Sequence, residues 1–521
     1  CHFPHHVPPE YIAKYKGRYS KGWDAARKER HVRQISLGVV PPNTILPERN
    51  PGVKPWVEIP EEDRRFLERS QEVYAAFLDH TDHHIGRLLK YLDDSGRAEN
   101  TMIVLISDNG ASPEGGALGS VSLNMRKAIY NGPETSQQRE ASLDILGGPY
   151  TYPHYAAGWA QVSNTPLKWY KMNTYGGGVR APLLIHWPRG VQTPGIRPQY
   201  HHVIDLFPTV LDVLGVPYLT SHKGIEQVPV HGTSMRYTFA ERHAPTRKMT
   251  QHFELNGDRA IWHKGWKAVT LHQPGDDFSD DRWALYDLEH DFSECHDLAD
   301  QFPDRLREMV DLWWSEARAF EVLPLDDRKW GRLPAEPPQL DMRVFSYHQS
   351  QARIDRLSAP DLTNRSYAIC ASVSVPPPGA EGVILAFGTA LAGYTLYVKN
   401  RRLVHEYVYS EDEKYVVRSN VDLPPGEHRI RYEFVRRGQA GGVGQMILNG
   451  DVVGTVGVNR TWPHRAVQAG LTCGRDTGLA VSLEYAAPFA FSGSILHVTV
   501  EVAPDGSSDP FFVGRAEEIE Q

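Results

Sequence analysis

The segment Thr101-Met-Ile-Val-Leu-Ile-Ser-Asp-Asn-Gly-Ala-Ser-Pro-Glu-Gly-Gly116 contains an apolar run that ends abruptly in polar and small residues. The run is short and rich in branched aliphatic residues, which is typical of a buried parallel strand. In an α/β sheet, side chains that follow such a strand lie at its carboxyl edge, where these folds bind ligands. The segment therefore predicts an α/β sheet with a binding site at Asp108 and Asn109, although Asp, Asn and Gly are also ordinary turn residues.

The chemistry of these two side chains indicates what such a site would hold. Asp108 and Asn109 offer carboxylate and amide oxygens. Oxygen donors of this kind suit Ca²⁺ or Mg²⁺ rather than Zn²⁺. Asp108 and Asn109 are therefore candidate metal ligands.

A helix is predicted before this strand, between Glu61 and Gly96. Its apolar side chains recur at spacings of three and four residues and predict one buried stripe, formed by Tyr74, Phe77, Leu78, Thr81, Ile85, Leu88, Leu89 and Leu92. A helix that leads into a strand is the repeating unit of an α/β sheet. Within the helix, His80 and His84 have the spacing of zinc ligands. Because Thr81 rather than Glu follows His80, and both histidines lie off the stripe, we interpret them as an exposed face.

A second segment supplies the family resemblance: Ser163-Asn-Thr-Pro-Leu-Lys-Trp-Tyr-Lys-Met-Asn-Thr-Tyr-Gly-Gly-Gly-Val-Arg-Ala-Pro-Leu-Leu-Ile-His-Trp-Pro188. A strand ending in Ser-Asp-Asn-Gly, then a lysine, then a Thr-Tyr-x-Gly-Gly-Val-Arg stretch before another apolar strand, resembles the type I sulfatases of the alkaline phosphatase superfamily. The resemblance extends over roughly residues 1 to 330 and is nearest to the long bacterial arylsulfatases. Further matching segments, in family order, are His201–Thr209, His231–Met235, Gly265–Lys267 and Leu285–Leu288.

The resemblance implies both a fold and an activity. The fold is an α/β sulfatase-like sheet flanked by helices. The activity is that of a sulfuric ester hydrolase, an arylsulfatase, which cleaves a small-molecule sulfate monoester to an alcohol or phenol plus sulfate. Two alternatives stay open, namely a phosphate or phosphonate monoester hydrolase of the same superfamily and a non-catalytic glycan-binding fragment. The resemblance also implies Ca²⁺, or Mg²⁺ in its place, at Asp108 and Asn109.

Two further site residues are carried over from the family. Lys171 matches the position of the family's sulfate-binding lysine. An ammonium at this position can neutralise sulfate oxygens as the S–O bond breaks. Lys168 is a competitor, but the family lysine directly follows an aromatic residue, as in Tyr170-Lys171. His2 matches the active-site histidine that binds substrate and protonates the leaving-group oxygen, a role that suits an imidazole. Three histidines near a terminus are equally compatible with an exposed, disordered segment.

The sequence departs from the family at Gly176, where most members have Glu. We expect this change to affect how the nearby lysine is positioned more than the type of reaction. Three successive glycines give the backbone room for close approach or for positive φ angles.

The first residues, Cys1-His-Phe-Pro-His-His-Val-Pro-Pro-Glu-Tyr11, resemble an internal sulfatase segment rather than a protein start. We therefore expect a longer parent protein, whose preceding region carries further metal-binding aspartates and a C-x-P-x-R motif with a cysteine converted to formylglycine. No cysteine in this sequence lies in such a motif. On this interpretation the chain alone is inactive, and the intact parent needs a formylglycine-generating enzyme for maturation.

Composition is that of a large globular protein. The 521 residues are 40% hydrophobic and 23% charged, and the length predicts several domains. The net charge of −8 argues against nonspecific nucleic-acid binding. No apolar run approaches the roughly 20 residues that span a bilayer. The four cysteines are too few and scattered for a disulfide framework, and this low content favours a cytoplasmic location.

Residues 110 to 165 show little periodicity and predict a long irregular insertion. Its tyrosines, Tyr150, Tyr152 and Tyr155, either line the approach to the site or pack on the surface. Farther along, the acidic stretch Asp287–Asp297 lacks the pattern of a calcium loop and predicts a surface turn. A closing helix is expected around Phe302 to Phe320.

The domain organisation follows from a change in pattern. Residues 1–330 form the predicted sulfatase domain and residues 331–340 a proline-rich linker. Short strands separated by turns then predict an antiparallel β-sandwich of lectin-like type over 341–505, followed by a tail over 506–521. Leu448-Asn-Gly-Asp451 is a strong hairpin signal. We expect the sandwich to be structural rather than sugar-binding. Its predicted strands are Tyr367–Val375, Gly382–Phe387, Tyr394–Val398, Arg429–Phe434, Gln445–Leu448 and Ile495–Val500.

Overall fold

The computed structural model describes residues 3–122, 134–328 and 344–503, except residues 357, 411, 439 and 463–468. The chain forms two compact units. The first unit comprises Cys1–Gly119 and His154–Leu333, and the second comprises Ser120–Pro153 and Pro334–Gln521. The predicted linker and tail lie outside the described residues, and so does His2.

The helices are short except for three of them. In chain order they are α1 (Pro9–Ala13), α2 (Gly22–Ser36), α3 (Glu61–Asp94), α4 (Ser136–Ala141), α5 (Ala157–Ser163), α6 (Gly176–Val179), α7 (Leu206–Leu214), α8 (Tyr237–Ala240) and α9 (Pro303–Ala319). The predicted helices before the first strand and near Phe302 are thus confirmed as α3 and α9. Among the described residues, no helix is both long enough and apolar enough to cross a membrane.

The strands of the first unit form three small sheets. They are β1 (Ile103–Ile106), β2 (Leu183–His186), β3 (Ser221–His222), β4 (Ile225–Glu226), β5 (Thr250–Leu255), β6 (Asp258–His263), β7 (Trp266–Thr270) and β8 (Ala284–Asp287). β1 pairs with β2, β3 pairs with β4, and β5 to β8 form a four-stranded sheet in sequence order. All of these pairings are antiparallel.

The prediction of a buried parallel strand at β1 is wrong in two respects. β1 pairs antiparallel with β2, in a register that sets Ile103 opposite His186. Leu105 and Leu184 are 45% and 57% exposed. A run of branched aliphatic residues indicates that a strand favours burial. The direction of the strand and its actual burial depend on elements from distant parts of the sequence.

The predicted buried stripe of α3 is wrong, because none of its eight residues is buried. Leu78 is 42% and Leu88 57% exposed, whereas the fully buried Phe66, Leu67 and Val73 lie outside the predicted set. Leu67 packs in a core with tryptophans, and α1 contacts the middle of α3, where Tyr11 meets His80. Helical spacing predicts which residues share a face, but not how far along the helix that face is covered.

Two larger cores and a smaller cluster around Tyr286 stabilise the described part of the first unit. One larger core contains three tryptophans, Trp23, Trp56 and Trp159, whose rings meet at 4.7 to 5.8 Å between centroids. The other lies between the sheet β5–β8 and α9, where the indole N–H of Trp313 donates to the Phe253 carbonyl at 3.0 Å. Tyr155 belongs to the first core and is 2% exposed, so it does not line an approach from solvent.

The second unit is built mainly of two antiparallel sheets and confirms the predicted β-sandwich. Its strands are β9 (Val344–Tyr347), β10 (Tyr367–Val375), β11 (Gly382–Thr389), β12 (Ala392–Lys399), β13 (Arg402–Val408), β14 (Lys414–Arg418), β15 (Gly426–Arg437), β16 (Gly441–Leu448), β17 (Asp451–Val458), β18 (Leu471–Cys473) and β19 (Ser494–Val502). The sheet orders are β17-β16-β15-β10-β19-β9 and β14-β13-β12-β11-β18. The predicted hairpin turn is confirmed, since Leu448 pairs with Asp451 and both turn residues, Asn449 and Gly450, have positive φ.

Candidate functional site

The end of β1 presents two oxygen-bearing side chains. Asp108 is exposed, whereas Asn109 is half-buried and lines a large cavity of the first unit. Among the described residues, no hydrogen bond or ion pair engages the Asp108 carboxylate. These two neighbouring residues therefore have oxygen donors free for a cation, which agrees in donor type with the metal predicted from the sequence.

The segment that carries Lys171 packs directly against this strand end. The Lys171 backbone N–H donates to the Ala111 carbonyl at 3.0 Å, and the Gly110 N–H donates to the Gly178 carbonyl at 3.1 Å. Two distant segments of sequence, one ending β1 and one preceding β2, thus interlock through their backbones. The arrangement places Lys171 and Asn109 on the wall of the same cavity.

The backbone around Lys171 is held in an unusual conformation. Trp169 and Met172, on either side of it, have φ angles of 64° and 68°. Residues with side chains adopt such angles at a cost of about 1 to 3 kcal/mol, and they occur most often at functional sites. The Lys171 ammonium lies 3.4 Å from the Glu114 carboxylate, and both side chains are about one-fifth exposed. The ammonium is therefore accessible from the cavity and already has an anionic neighbour.

Lys168, the competing lysine, has a different environment. Its ammonium lies over the rings of Tyr175 and Tyr286, 5.7 and 5.5 Å from their centroids. A cation held against aromatic faces in this way is engaged in cation–π interactions. Lys168 does not line the cavity that Lys171 and Asn109 share.

The glycine run next to Lys171 permits the close approach of three backbone segments. A Cβ atom on Gly177 would overlap the carbonyl oxygens of Lys168 and Trp169, and one on Gly178 would overlap that of Asn173. A Cβ on Gly110 would overlap the Gly177 carbonyl. These positions need glycine because neighbouring backbone occupies the space of a side chain.

One side chain that the sequence interpretation missed joins these segments. The Asn164 side-chain oxygen accepts from the Ala111 N–H at 2.8 Å. The amide nitrogen donates to the Trp169 carbonyl at 3.0 Å and to the Gly177 carbonyl at 2.8 Å. Asn164 lies in the quoted Ser163–Pro188 segment, but an Asn next to Thr-Pro is an ordinary turn signal and does not stand out.

A buried ion pair, also missed, lies behind Gly176. Glu294 is 1% exposed; its carboxylate accepts from the Gly176 N–H at 2.8 Å and from the Lys267 ammonium at 2.5 Å. Burial lowers the pKa of Lys267, and the Glu294 carboxylate opposes this effect. The expectation that Asp287–Asp297 is a surface turn is therefore wrong at Glu294. A Cβ on Gly176 would lie 3.2 Å from the same carboxylate, so a carboxyl group already adjoins the position where the family has Glu.

The cavity itself has a volume of about 1170 Å³ and a mixed lining. Its walls include cationic and imidazole side chains as well as aromatic ones, among them His202, His231, Lys248, His252 and Phe320. Burial, followed by the Lys248 ammonium, lowers the pKa of His202 to about 4. His202 is therefore neutral at physiological pH, where its ring can accept or donate hydrogen bonds without adding charge.

A buried carboxylate fixes Lys248 on this wall. The Asp205 carboxylate accepts from the Lys248 ammonium at 3.0 Å and from the N–H groups of His202 and Thr233 at 2.8 Å each. Burial alone would raise the pKa of Asp205, but these hydrogen bonds and one from His201 lower it to about 2. Lys248 is consequently a structural cation, paired at the base of the cavity.

The residues next to His2 are ordered although His2 itself lies outside the described residues. The Phe3 ring meets the His154 ring at 5.2 Å between centroids. His154 is 1% exposed, and its Nε2 accepts from the Ser112 hydroxyl at 3.1 Å while Nδ1 donates to the Tyr155 carbonyl at 2.9 Å. His5 is 2% exposed, so the interpretation of this histidine-rich segment as exposed and disordered does not hold for His5. Ser112 follows the β1 loop, so the segment approaches the candidate site.

The described residues at this site supply only some of the ligands that a metal ion needs. Among the described residues, no group of three or more His, Cys, Asp or Glu side chains could hold an ion together. Asp108 and Asn109 fit as two oxygen ligands of Ca²⁺, which takes six to eight.

His80 and His84 face each other on α3, with 3.0 Å between their Nε2 atoms, but the His84 Nδ1 accepts from Arg87 at 2.9 Å. That bond leaves the proton of neutral His84 on Nε2, which opposes metal binding there.

Comparisons with known proteins relate the sequence to sulfatases. Residues 1–216 match the family model described as Sulfatase. An uncharacterized sulfatase of Schizosaccharomyces pombe is 35% identical over 317 residues, which cover 60% of this chain and 55% of the relative. An arylsulfatase of Klebsiella aerogenes is 28% identical over 257 residues, which cover 49% of this chain and 52% of the relative. The chain spans about half the length of these curated relatives.

Solved sulfatase structures overlap the chain only loosely. A sulfatase from Pseudoalteromonas sp. is 16% identical, with a TM-score of 0.32. The aligned region covers 49% of this chain and 44% of the Pseudoalteromonas chain. The assignment depends instead on the family model and the sequence relatives. Residues 1–216 of this chain therefore resemble a sulfatase domain.

Proposed function

We propose that this chain provides the sulfate-binding and part of the metal-binding machinery of a sulfuric ester hydrolase of arylsulfatase type. The observation that carries the proposal is the interlocked pair of segments that brings Lys171 and Asn109 to one cavity. About sixty residues separate the two segments in the sequence, so they come together only when the chain folds. The family match over residues 1–216 supports the same reaction class.

Lys171 would bind the sulfate group of the ester. Its ammonium is a compact charge on a flexible stem, and its backbone is anchored to the β1 loop by the hydrogen bond from the Lys171 N–H to the Ala111 carbonyl. In the free protein Glu114 lies beside it at 3.4 Å. A sulfate oxygen would replace this carboxylate as the partner of the ammonium, so ligand binding exchanges one ion pair for another rather than uncovering a bare charge.

Asp108 and Asn109 would supply two of the oxygen ligands of a Ca²⁺ ion, or of Mg²⁺ in its place. When bound, such an ion polarises a sulfate oxygen and orients the ester. The exposed Asp108 carboxylate, which has no partner among the described residues, supports this role. Asn109 contributes a neutral donor on the cavity side.

The nucleophile and the acid complete the proposal. The nucleophile would be a formylglycine from a C-x-P-x-R motif, which this sequence does not contain. His2 would donate a proton to the departing alcohol. The ordered Phe3 and its contact with His154 support an approach of this segment to the β1 loop.

The role of Lys171 is tested by calorimetric titration of the whole chain with inorganic sulfate in the presence of calcium. Lys171→Ala is expected to weaken binding about ten-fold or more, because a charge-assisted contact is lost. Lys168→Ala is the matched control. It also removes an ammonium, three residues before Lys171, but Lys168 lies against aromatic rings. Equal affinity of the wild type and Lys171→Ala would contradict the assignment.

The reaction class is tested in a longer protein that joins this sequence to a C-x-P-x-R region and is coproduced with a formylglycine-generating enzyme. We expect hydrolysis of an aryl sulfate that a calcium chelator abolishes and Lys171→Ala reduces strongly. Hydrolysis of an aryl phosphate or phosphonate ester, without hydrolysis of the sulfate, would favour the related phosphoesterase activity instead.

A further inference from the structure

We propose that Asn164 is a positioning residue that sets the distance between the lysine and the metal-ligand segment of the site. This inference rests on the function proposed above for Lys171, Asp108 and Asn109. Asn164 itself does not contact a ligand in this proposal. It acts through the backbone of the two segments that present those side chains.

The Asn164 side chain makes three hydrogen bonds, one as acceptor and two as donor. One side-chain amide binds three backbone groups, an N–H at Ala111 and carbonyls at Trp169 and Gly177, all at 2.8 to 3.0 Å. Ala111 is two residues after Asn109. Trp169 is two residues before Lys171, and Gly177 lies in the glycine run that follows it. A single side chain therefore connects both halves of the candidate site.

The backbone of Asn164 is fixed, which allows its side chain to fix others. Asn164 is the C-cap residue that directly follows α5, and its N–H donates to the Ala160 carbonyl at 3.1 Å. Its own carbonyl accepts from the Leu167 N–H at 2.8 Å. The helix α5 belongs to the tryptophan core through Trp159, which is fully buried. The side-chain amide thus projects from a rigid element, which is where positioning residues are most effective.

The strained backbone beside Lys171 explains why such support is needed. Trp169 and Met172 hold positive φ angles that an unsupported loop would relax. The Asn164 bond to the Trp169 carbonyl acts on the first of these two residues. Loss of that bond would let the Lys171 ammonium move relative to Asn109.

Only an amide provides this combination of one acceptor and two donors at the same position. In Asn164→Asp the carboxylate keeps the acceptor for Ala111 but faces two carbonyl oxygens that it cannot bond. In Asn164→Leu both functions are lost without a new charge. The two variants therefore separate the loss of the lysine-side bonds from the loss of the whole connection.

A matched control comes from Gln34 on α2. Its side-chain amide nitrogen donates to the Thr165 carbonyl at 2.7 Å, one residue away from Asn164. Gln34→Leu also removes an amide donor from a backbone carbonyl in this region. It leaves the bonds to Ala111, Trp169 and Gly177 in place.

The experiment measures sulfate affinity by calorimetry and amide hydrogen exchange by mass spectrometry for the whole chain and these variants. We expect Asn164→Leu and Asn164→Asp to bind sulfate about ten- to a hundred-fold more weakly, because small misplacements of a binding group have effects of this size. Peptides that cover residues 169–178 should exchange faster in both variants. In Asn164→Asp the amide of Ala111 should keep its protection, whereas Gln34→Leu should match the wild type in affinity and in exchange of both segments.

The outcomes separate this inference from the proposed function. Loss of sulfate binding in Lys171→Ala, with wild-type affinity in both Asn164 variants, would overturn the positioning role and leave the proposed function intact. Undiminished binding in Lys171→Ala would overturn the proposed function. A loss of affinity in Gln34→Leu equal to that in Asn164→Leu would show general destabilisation and would also overturn the positioning role.

Discussion

At the residue scale, the candidate site depends on side chains whose partners are distant in sequence. Glu294 reaches Gly176 and Lys267, and the glycine run accommodates backbone oxygens from the preceding turn. These contacts are buried, so each has a large effect on stability when only one member is changed. Two predictions at this scale follow from the ion pair and from the glycines.

Glu294→Gln is expected to lower the free energy of unfolding by about 3 kcal/mol, because it leaves the buried Lys267 ammonium without an anionic partner. The measurement is urea denaturation followed by tryptophan fluorescence. The double variant Lys267→Met/Glu294→Gln removes both charges and should recover most of the loss. A double variant as unstable as the single one would show that the charge balance of the pair is unimportant.

Gly177→Ala is expected to lower the free energy of unfolding by about 3 kcal/mol, because the added Cβ overlaps two backbone carbonyl oxygens that cannot move aside. Gly86→Ala is the control, since Gly86 lies within α3 with open space around its Cβ position. Alanine there should stabilise the helix by about 0.5 to 1 kcal/mol. The same denaturation experiment compares both, and similar behaviour of the two variants would contradict the packing argument.

At the scale of elements, the β-sandwich contains one strand with a residue that limits its stability in acid. His405 on β13 is fully buried, stacks on the Tyr432 ring at 3.4 Å between centroids, and neither ring nitrogen has a hydrogen-bond partner among the described residues. Burial lowers the pKa of His405 to about 3. The ring is therefore neutral in the folded sandwich at any pH near neutrality.

The sandwich is expected to lose stability as the pH falls from about 6.5 towards 3, because the unfolded chain takes up a proton that buried His405 refuses. For this residue alone the free energy of unfolding should fall by about 1.4 kcal/mol per pH unit in that range. His405→Phe keeps an aromatic ring against Tyr432 and should reduce the slope by this amount. The test is urea denaturation at several pH values, with exposed His497→Gln as control. An unchanged slope in His405→Phe would contradict the prediction.

At the scale of the whole molecule, the two units have separate hydrophobic cores. The candidate sulfate site lies entirely in the first unit, whereas His405 lies in the second. A ligand that binds only the folded state stabilises the unit that binds it. The two units should therefore respond to different solution conditions.

Scanning calorimetry is expected to resolve two unfolding transitions with separate sensitivities. Sulfate at about a hundred times its dissociation constant should stabilise the first unit by about 2.7 kcal/mol and leave the other transition in place. Acid should lower the transition of the sandwich through His405. Lys171→Ala should abolish the shift caused by sulfate. A shift of both transitions by sulfate would show that its effect is general rather than due to the site.

Local pattern in the sequence predicted the long helix α3, the closing helix α9 and about half of the sandwich strands. The periodicity of α3, the short strands of the sandwich and the Asn449-Gly450 turn each depend on neighbouring residues, so they could be predicted from the sequence. The Ser-Asp-Asn-Gly strand end and the lysine with its glycine run likewise indicated the sulfatase domain. These features do not depend on the rest of the chain, because their physical causes act over a few residues.

The tertiary structure decided how these parts meet. The direction of β1, the lack of burial of the predicted α3 stripe and the burial of Glu294 depend on partners from distant sequence, which no local pattern encodes. The same is true of Asn164, whose three bonds join segments that begin after β1 and before β2. The sequence thus determined the resemblance to sulfatases and the candidate ligands Lys171, Asp108 and Asn109. Only the fold determined what holds them together, because hydrogen bonds between remote backbone segments form only when the chain has packed.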